Sequence, residues 1–107
     1  YIPKYTVTIV PDPVFPEKGC DYWIDPAGDI EIEVGDHISF CNQARDWVTI
    51  TFEKPSTFDV DEIKIPYGQC IILTAKHEGK EFKFWHDCNG AGGGGKFIIV
   101  NPPGGSS

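Results

Sequence analysis

The side chains able to do chemistry in this chain are few: four cysteines and three histidines in 107 residues, with no methionine. Thiolates and imidazoles bind transition metals, and thiols also pair as disulfides. His86 and Cys88, separated by Asp87, form the one local cluster of such groups. Spaced i and i+2 at a strand end, they can aim at one volume and hold zinc or copper, provided that the Cys88 thiol is free. Two ligands without a third and fourth make a weak site, so the plainer expectation is a partly exposed histidine beside a structural disulfide. No two cysteines show the CxxC spacing of a zinc ribbon or thioredoxin motif. Two disulfides are therefore expected, with three connectivities open, and with them an oxidising compartment, secreted or periplasmic. A thiol redox role for Cys20 and Cys88 is the competing use of the same sulfurs.

Other chemistries find less support. The run from Gly90 to Gly95 lacks the Gly-Lys-Ser or Gly-Lys-Thr ending and the helix of a phosphate loop, because Lys96 opens an apolar strand. Glu31 and Glu33 are paired carboxylates, but they lie on solvent-facing strand positions where a raised pKa is not expected. No Ser-His-Asp or Cys-His constellation comes together, so the chain is not expected to be an enzyme.

Nine Lys and Arg against sixteen Asp and Glu leave a formal charge of −7, the wrong sign for a nucleic-acid backbone. No apolar run approaches the ~20 residues of a transmembrane helix. The first residues show no basic segment followed by an apolar one, and the chain does not begin with Met, which suggests a processed or trimmed form. With 40% hydrophobic and 23% charged residues, the composition is that of a folded domain. One domain over residues 1–101 is expected, as a monomer, followed by a flexible tail at 102–107.

The elements that must position these groups are strands. Tyr5 to Val10 alternates and is rich in β-formers, and Ile30 to Val34 sets three aliphatics against two carboxylates. Gly35-Asp36 turns the chain into His37 to Cys41, with Ile38 and Phe40 inward and His37, Ser39 and Cys41 outward. Val48 to Phe52, Ile71 to Ala75, Phe82 to Trp85 and Lys96 to Val100 follow, with a hairpin turn at His77 to Lys80. Asp59 to Lys64 has room for one helical turn. No longer segment carries a helical period. Seven or eight short strands with regular turn signals point to an all-β sandwich.

Three stretches resemble the cupredoxin family, its plastocyanin branch most of all. Trp23-Ile24-Asp25-Pro26 followed by Ile30 to Asn42 is similar to the family's aromatic, proline, alternating strand, Gly-Asp turn and strand ending in Asn. Tyr67-Gly68-Gln69-Cys70 through Phe84 resembles the strand and hairpin that lead to the copper cysteine. Asn89 to Val100 resembles the glycine-rich ending that precedes a Gly-Lys and the last strand. The resemblance implies a Greek-key β-sandwich, with Trp23 in its core.

It also implies a copper site, and there the residues depart from the pattern. A type 1 site takes a thiolate and two imidazoles, with a weak axial Met. By the resemblance the first His position falls on Val48, with Trp47 beside it. The Cys position falls on Trp85 by counting back from the final Gly-Lys, or on His86 by alternation with Phe82 and Phe84. The second His falls on or near Cys88, and the axial Met on Gly93. His37 and His77 fall at the opposite end. The expectation is thus a cupredoxin-like domain without cofactor, with copper held by an atypical site near His86 and Cys88 as the alternative.

The resemblance further pairs the strands of Cys41 and Cys70, implying one bridge between them and a second between Cys20 and Cys88. The glycine-rich loop then leaves a flat or shallow surface edged by Trp47 and Trp85, open to a protein or a small flat ligand. Trp85 alternates outward and is the better surface candidate. Asp59, Asp61 and Glu62 resemble in placement the acidic patch through which plastocyanins meet a basic partner, against the plainer reading of a solvated loop. The function expected is that of a binding or structural module.

Overall fold

The computed structural model describes residues 2–11, 22–25, 28–87 and 94–102, with backbone only at 22 and 23. Among these, nine strands follow in order: β1 (Tyr5–Pro11), β2 (Tyr22–Asp25), β3 (Gly28–Glu33), β4 (His37–Asn42), β5 (Trp47–Phe52), β6 (Glu62–Pro66), β7 (Cys70–Thr74), β8 (Gly79–His86) and β9 (Gly94–Val100). They form two sheets, ordered β2-β1-β4-β7 and β3-β9-β8-β5-β6. The chain passes between the sheets after β2, β3, β4, β6 and β7, as an all-β sandwich requires. The parallel pairs β1 with β4 and β3 with β9 arise from these crossings. No helix of the described residues is long and apolar enough to cross a membrane.

Period-two patterning explains which face each strand buries. Ile30 and Ile32 of β3, Val48, Ile50 and Phe52 of β5, Phe82 and Phe84 of β8, and Phe97 and Ile99 of β9 all point into the core. From the facing sheet come Val7 and Ile9 of β1, Ile24 of β2, and Ile38 and Phe40 of β4. Phe40 is the centre of an aromatic cluster, meeting Phe52, Phe58, Phe84 and Phe97 edge-on at centroid distances of 5.7, 5.8, 6.4 and 6.1 Å. Such T-shaped contacts set the positive ring edge against a negative face.

Two local expectations need correction. The segment expected to hold a helical turn, Asp59 to Lys64, instead leads into β6, where Ile63 and Ile65 alternate inward with Lys64 exposed. A turn of 3-10 helix lies earlier, at Pro55–Thr57, where Pro55 opens the turn and Thr57 donates to the Lys54 carbonyl at 2.8 Å. The connection expected to be a hairpin turn is instead a crossing between the sheets, because β7 pairs with β4 whereas β8, which begins at Gly79, pairs with β5 and β9. Ser39 and Cys41 lie on the outer face of β4, as expected, and are nevertheless buried, at 5% and 8% exposure. β4 lies between β1 and β7, and flanking strands cover small side chains in mid-sheet. The Trp23 side chain lies outside the described residues.

Candidate functional site

The strand ends at Asn42, Trp47, Pro66, Cys70, His86 and Gly94 lie at one end of the sandwich. The loop between β4 and β5 is organised by Asn42, which is fully buried. Its Nδ2 donates to the carbonyls of Arg45 and Ile65, both at 2.8 Å. Its Oδ1 accepts from the Ala44 and Arg45 amides at 2.9 and 3.3 Å. Both heads of the amide are thus used, which removes the penalty of burying it. The loop between β6 and β7 is a tight turn closed by the Gln69 amide on the Pro66 carbonyl at 3.1 Å, with Gly68 at φ 79°. That positive φ suits glycine at the third position of a type II turn. The two loops are laced together by Tyr67 N to Asp46 O (2.9 Å), Gly68 N to Asn42 O (2.8 Å) and Asn42 N to Gln69 O (3.1 Å).

Directly under this junction lies the Cys41–Cys70 disulfide. Cys41 and Cys70 are register partners in the antiparallel pair β4–β7, with Cα atoms 4.1 Å apart. The Ser39 hydroxyl donates to the Cys41 sulfur at 3.4 Å. The expected bridge is therefore formed. Cys20 and Cys88 lie outside the described residues, as do the glycines from Gly90 to Gly93.

On this braced platform stand two exposed aromatics. Trp47 opens β5 opposite Pro66 and is 58% exposed; Tyr67 follows Pro66 and is 62% exposed. Trp47 alternates with Val48, which is completely buried and paired with Ile65. Trp85 is half-buried on the outer face of β8, opposite Thr51 and Gly94. Gly94 is required there, because a Cβ would overlap the Phe84 carbonyl. Tyr67 was not singled out by sequence reasoning. The signal available was Pro66-Tyr67-Gly68-Gln69, a turn sequence that lifts its second residue off the strand.

His86 differs from its expected surroundings. Rather than partly exposed, it is buried at 2% exposure, sharing an inward face with Phe82 and Phe84 and paired in register with Ile50. Burial pushes its imidazole below the usual histidine range, while the Asp87 carboxylate beside it pulls partly back. The ring is therefore held neutral at pH 7. Among the described residues no three His, Cys, Asp or Glu side chains assemble as a metal-ligand group.

The remaining candidates sit at the far end. His77 Nε2 lies 3.0 Å from Asp59 Oδ1, and Lys76 Nζ is 3.5 Å from Oδ2. The His77 hydrogen bond and these charges hold Asp59 below the usual carboxylate range. His37 Nδ1 is 2.8 Å from the Thr74 hydroxyl. Asp61 and Glu62 are exposed. The acidic segment is thus away from Trp47 and Tyr67, and Asp59 is engaged within it.

No family model matches the sequence, and no curated protein matches it by sequence. Solved structures do match the fold. A purple cupredoxin from Nitrosopumilus maritimus superposes with a TM-score of 0.61 at 15% identity, over 90% of this chain and 99% of that one. A copper(I) amicyanin carrying a methionine substitution gives a TM-score of 0.55 at 15% identity, over 89% and 80%. Fet3p, a multicopper oxidase of iron import, gives 0.56 at 17% identity, over 91% of this chain and 23% of that one. At these identities the likeness is one of fold, that of the cupredoxins.

Proposed function

We propose that this cupredoxin-fold chain is a non-catalytic binding module of an extracellular or periplasmic compartment, lacking a type 1 copper centre and using the Trp47 and Tyr67 end as its contact surface. The observation that carries this reading is Val48. A hydrocarbon side chain with no exposure fills the position at which the resemblance expects the first imidazole ligand. The thiolate position, placed by alternation, holds an inward imidazole at His86. This donor set does not fit a trigonal thiolate and two-imidazole site.

What the end offers instead is a rigid aromatic surface. Large amphipathic rings supply contact area at small conformational cost, and loops already locked by hydrogen bonds lose little entropy on binding. The Asn42 network and the disulfide beneath provide that locking. The partner is a protein or a flat ligand able to lie across Trp47 and Tyr67. A second reading, metal held by His86 with Cys88, is favoured by one fact: burial keeps His86 in the neutral form that ligates metals.

The test uses protein purified without chelator. Its visible spectrum is recorded with added Cu(II), bound metal is measured, and thiols are counted under denaturing conditions. The binding-module reading expects no intense absorption and no tight metal. Strong absorption near ~600 nm, from copper–thiolate charge transfer, overturns it. Zero free thiols without tight metal removes the second reading.

A further inference from the structure

Among the described residues, β7 is the outer strand of the four-stranded sheet, and its edge differs from those of β3 and β6. It pairs with β4 in unbroken register from His37 opposite Thr74 to Cys41 opposite Cys70, so it is straight and carries no bulge. Among the described residues, the backbone of residues 70–74 makes no backbone hydrogen bond beyond that pairing. The stretch from Gln69 to Ala75 has no charged residue, and three β-formers, Ile71, Ile72 and Leu73, stand in its middle. Ile71 and Leu73 pack against the core. Ile72 is turned to the outer face and is 46% exposed.

Natural sheets usually blunt such edges with charge, proline or a bulge, because unpaired amides and carbonyls invite another strand. The edges at β3 and β6 follow that rule. Two-fold antiparallel self-pairing keeps opposite residues on the same face. On β3 it would set Asp29, Glu31 and Glu33 against one another, like-charge pairs that oppose association, and β6 carries the charged Glu62 and Lys64 and ends in Pro66. β2 has four residues and borders residues outside the described set.

From these observations we infer that β7 is a self-association edge, and that its occupant is the β7 strand of a second copy. Antiparallel pairing about a two-fold axis at Ile72 sets Ile72 against its own counterpart. It sets Cys70 against Thr74, and Ile71 against Leu73. Beyond the strand, Lys76 comes to Gly68, so no like charges face one another. The contact is isologous, as cyclic dimers require, and continues the sheet as β2-β1-β4-β7 followed by β7-β4-β1-β2 of the second copy. This surface is separate from the Trp47 and Tyr67 end and adds to its function, replacing the monomer expected from sequence alone. A five-residue edge spans only ~17 Å, which points to a weak, concentration-dependent dimer at the low end of interface sizes. The charge of −7 on each copy opposes association, so salt strengthens it by screening.

Sedimentation equilibrium on the whole chain tests this, from about 10 µM to about 1 mM and at about 20 and 300 mM salt, a range suited to weak complexes. The expected result is a rise from monomer mass toward twice that mass, with association several-fold tighter at the higher salt. Ile72→Lys, which faces a lysine with a lysine, should weaken it at least about tenfold. Lys64→Ala, on the β6 edge, should leave it unchanged. Ile72→Thr keeps strand propensity and should weaken association less, which guards against loss of folding by the lysine variant. On the unmodified chain, amide exchange in residues 70–74 should slow as concentration rises. A monomer throughout the range overturns the proposal, as does a dimer indifferent to Ile72→Lys with no added protection in β7.

Discussion

Replacing both Cys41 and Cys70 by alanine removes the covalent tie between β4 and its outer neighbour without altering a strand. The bridge joins residues separated by 29 positions. The loop-entropy relation gives about 3.6 kcal/mol at 25 °C for a closure of that length. The two cysteines are register partners on neighbouring strands. Cys41 is 8% exposed, so truncating it adds at most about 1 kcal/mol of lost packing. The double variant should therefore lose about 3.6–4.6 kcal/mol. For a domain of this size that corresponds to a fall in Tm of about 15–25 °C. Denaturant unfolding followed by far-UV circular dichroism and by tryptophan fluorescence gives the free energy, with scanning calorimetry for Tm. A loss under ~1 kcal/mol with an unchanged m-value would refute the reasoning, because the unfolded chain would then gain no freedom from the cut.

Two other perturbations reach the same end of the sandwich. Because burial holds His86 below its ordinary value of 6.5, the unfolded chain takes up a proton at this position before the folded one does as pH falls. Its contribution to stability is complete above about pH 6.5 and declines through the window between that value and the lower folded one. The difference between wild type and His86→Gln, followed by urea unfolding from pH 8 to 5, should show this slope; parallel curves would contradict it. Asn42→Ala deprives the Arg45 and Ile65 carbonyls and the Ala44 and Arg45 amides of their partner. A cost of about 2–4 kcal/mol is expected in the same unfolding experiment, together with faster amide exchange at Tyr67 and Gly68.

Much of the framework is written locally. Isoleucines alternating with glutamates from Ile30 to Glu33 can bury only one face as a strand, and Ile32 is buried while Glu31 is exposed. The same period places Phe82, Phe84 and His86 together on the inward side of β8. β6 was harder to see. Glu62 to Pro66 begins among acidic residues and ends in a proline, and only Ile63 and Ile65 mark its buried face. Edge strands need few apolar residues, so their signal is short.

What the sequence by itself determined is therefore most of the strands, though neither β2 nor β6, a net charge of −7, and, through its likeness to the cupredoxins, the partnership of Cys41 with Cys70. What only the tertiary structure decided is where single side chains end in relation to water and to one another. His86 is buried because β5 and β8 bring Ile50 against it. Trp47 and Tyr67 become one surface because hydrogen bonds join two loops that are twenty residues apart in the chain. Among the described residues, β7 is an edge because no further strand follows it in its sheet. Alternation fixes which side of a strand a residue faces within two or three positions. Burial, juxtaposition and edge status are set by pairings between distant segments, and those exist only once the two sheets have closed on their common core.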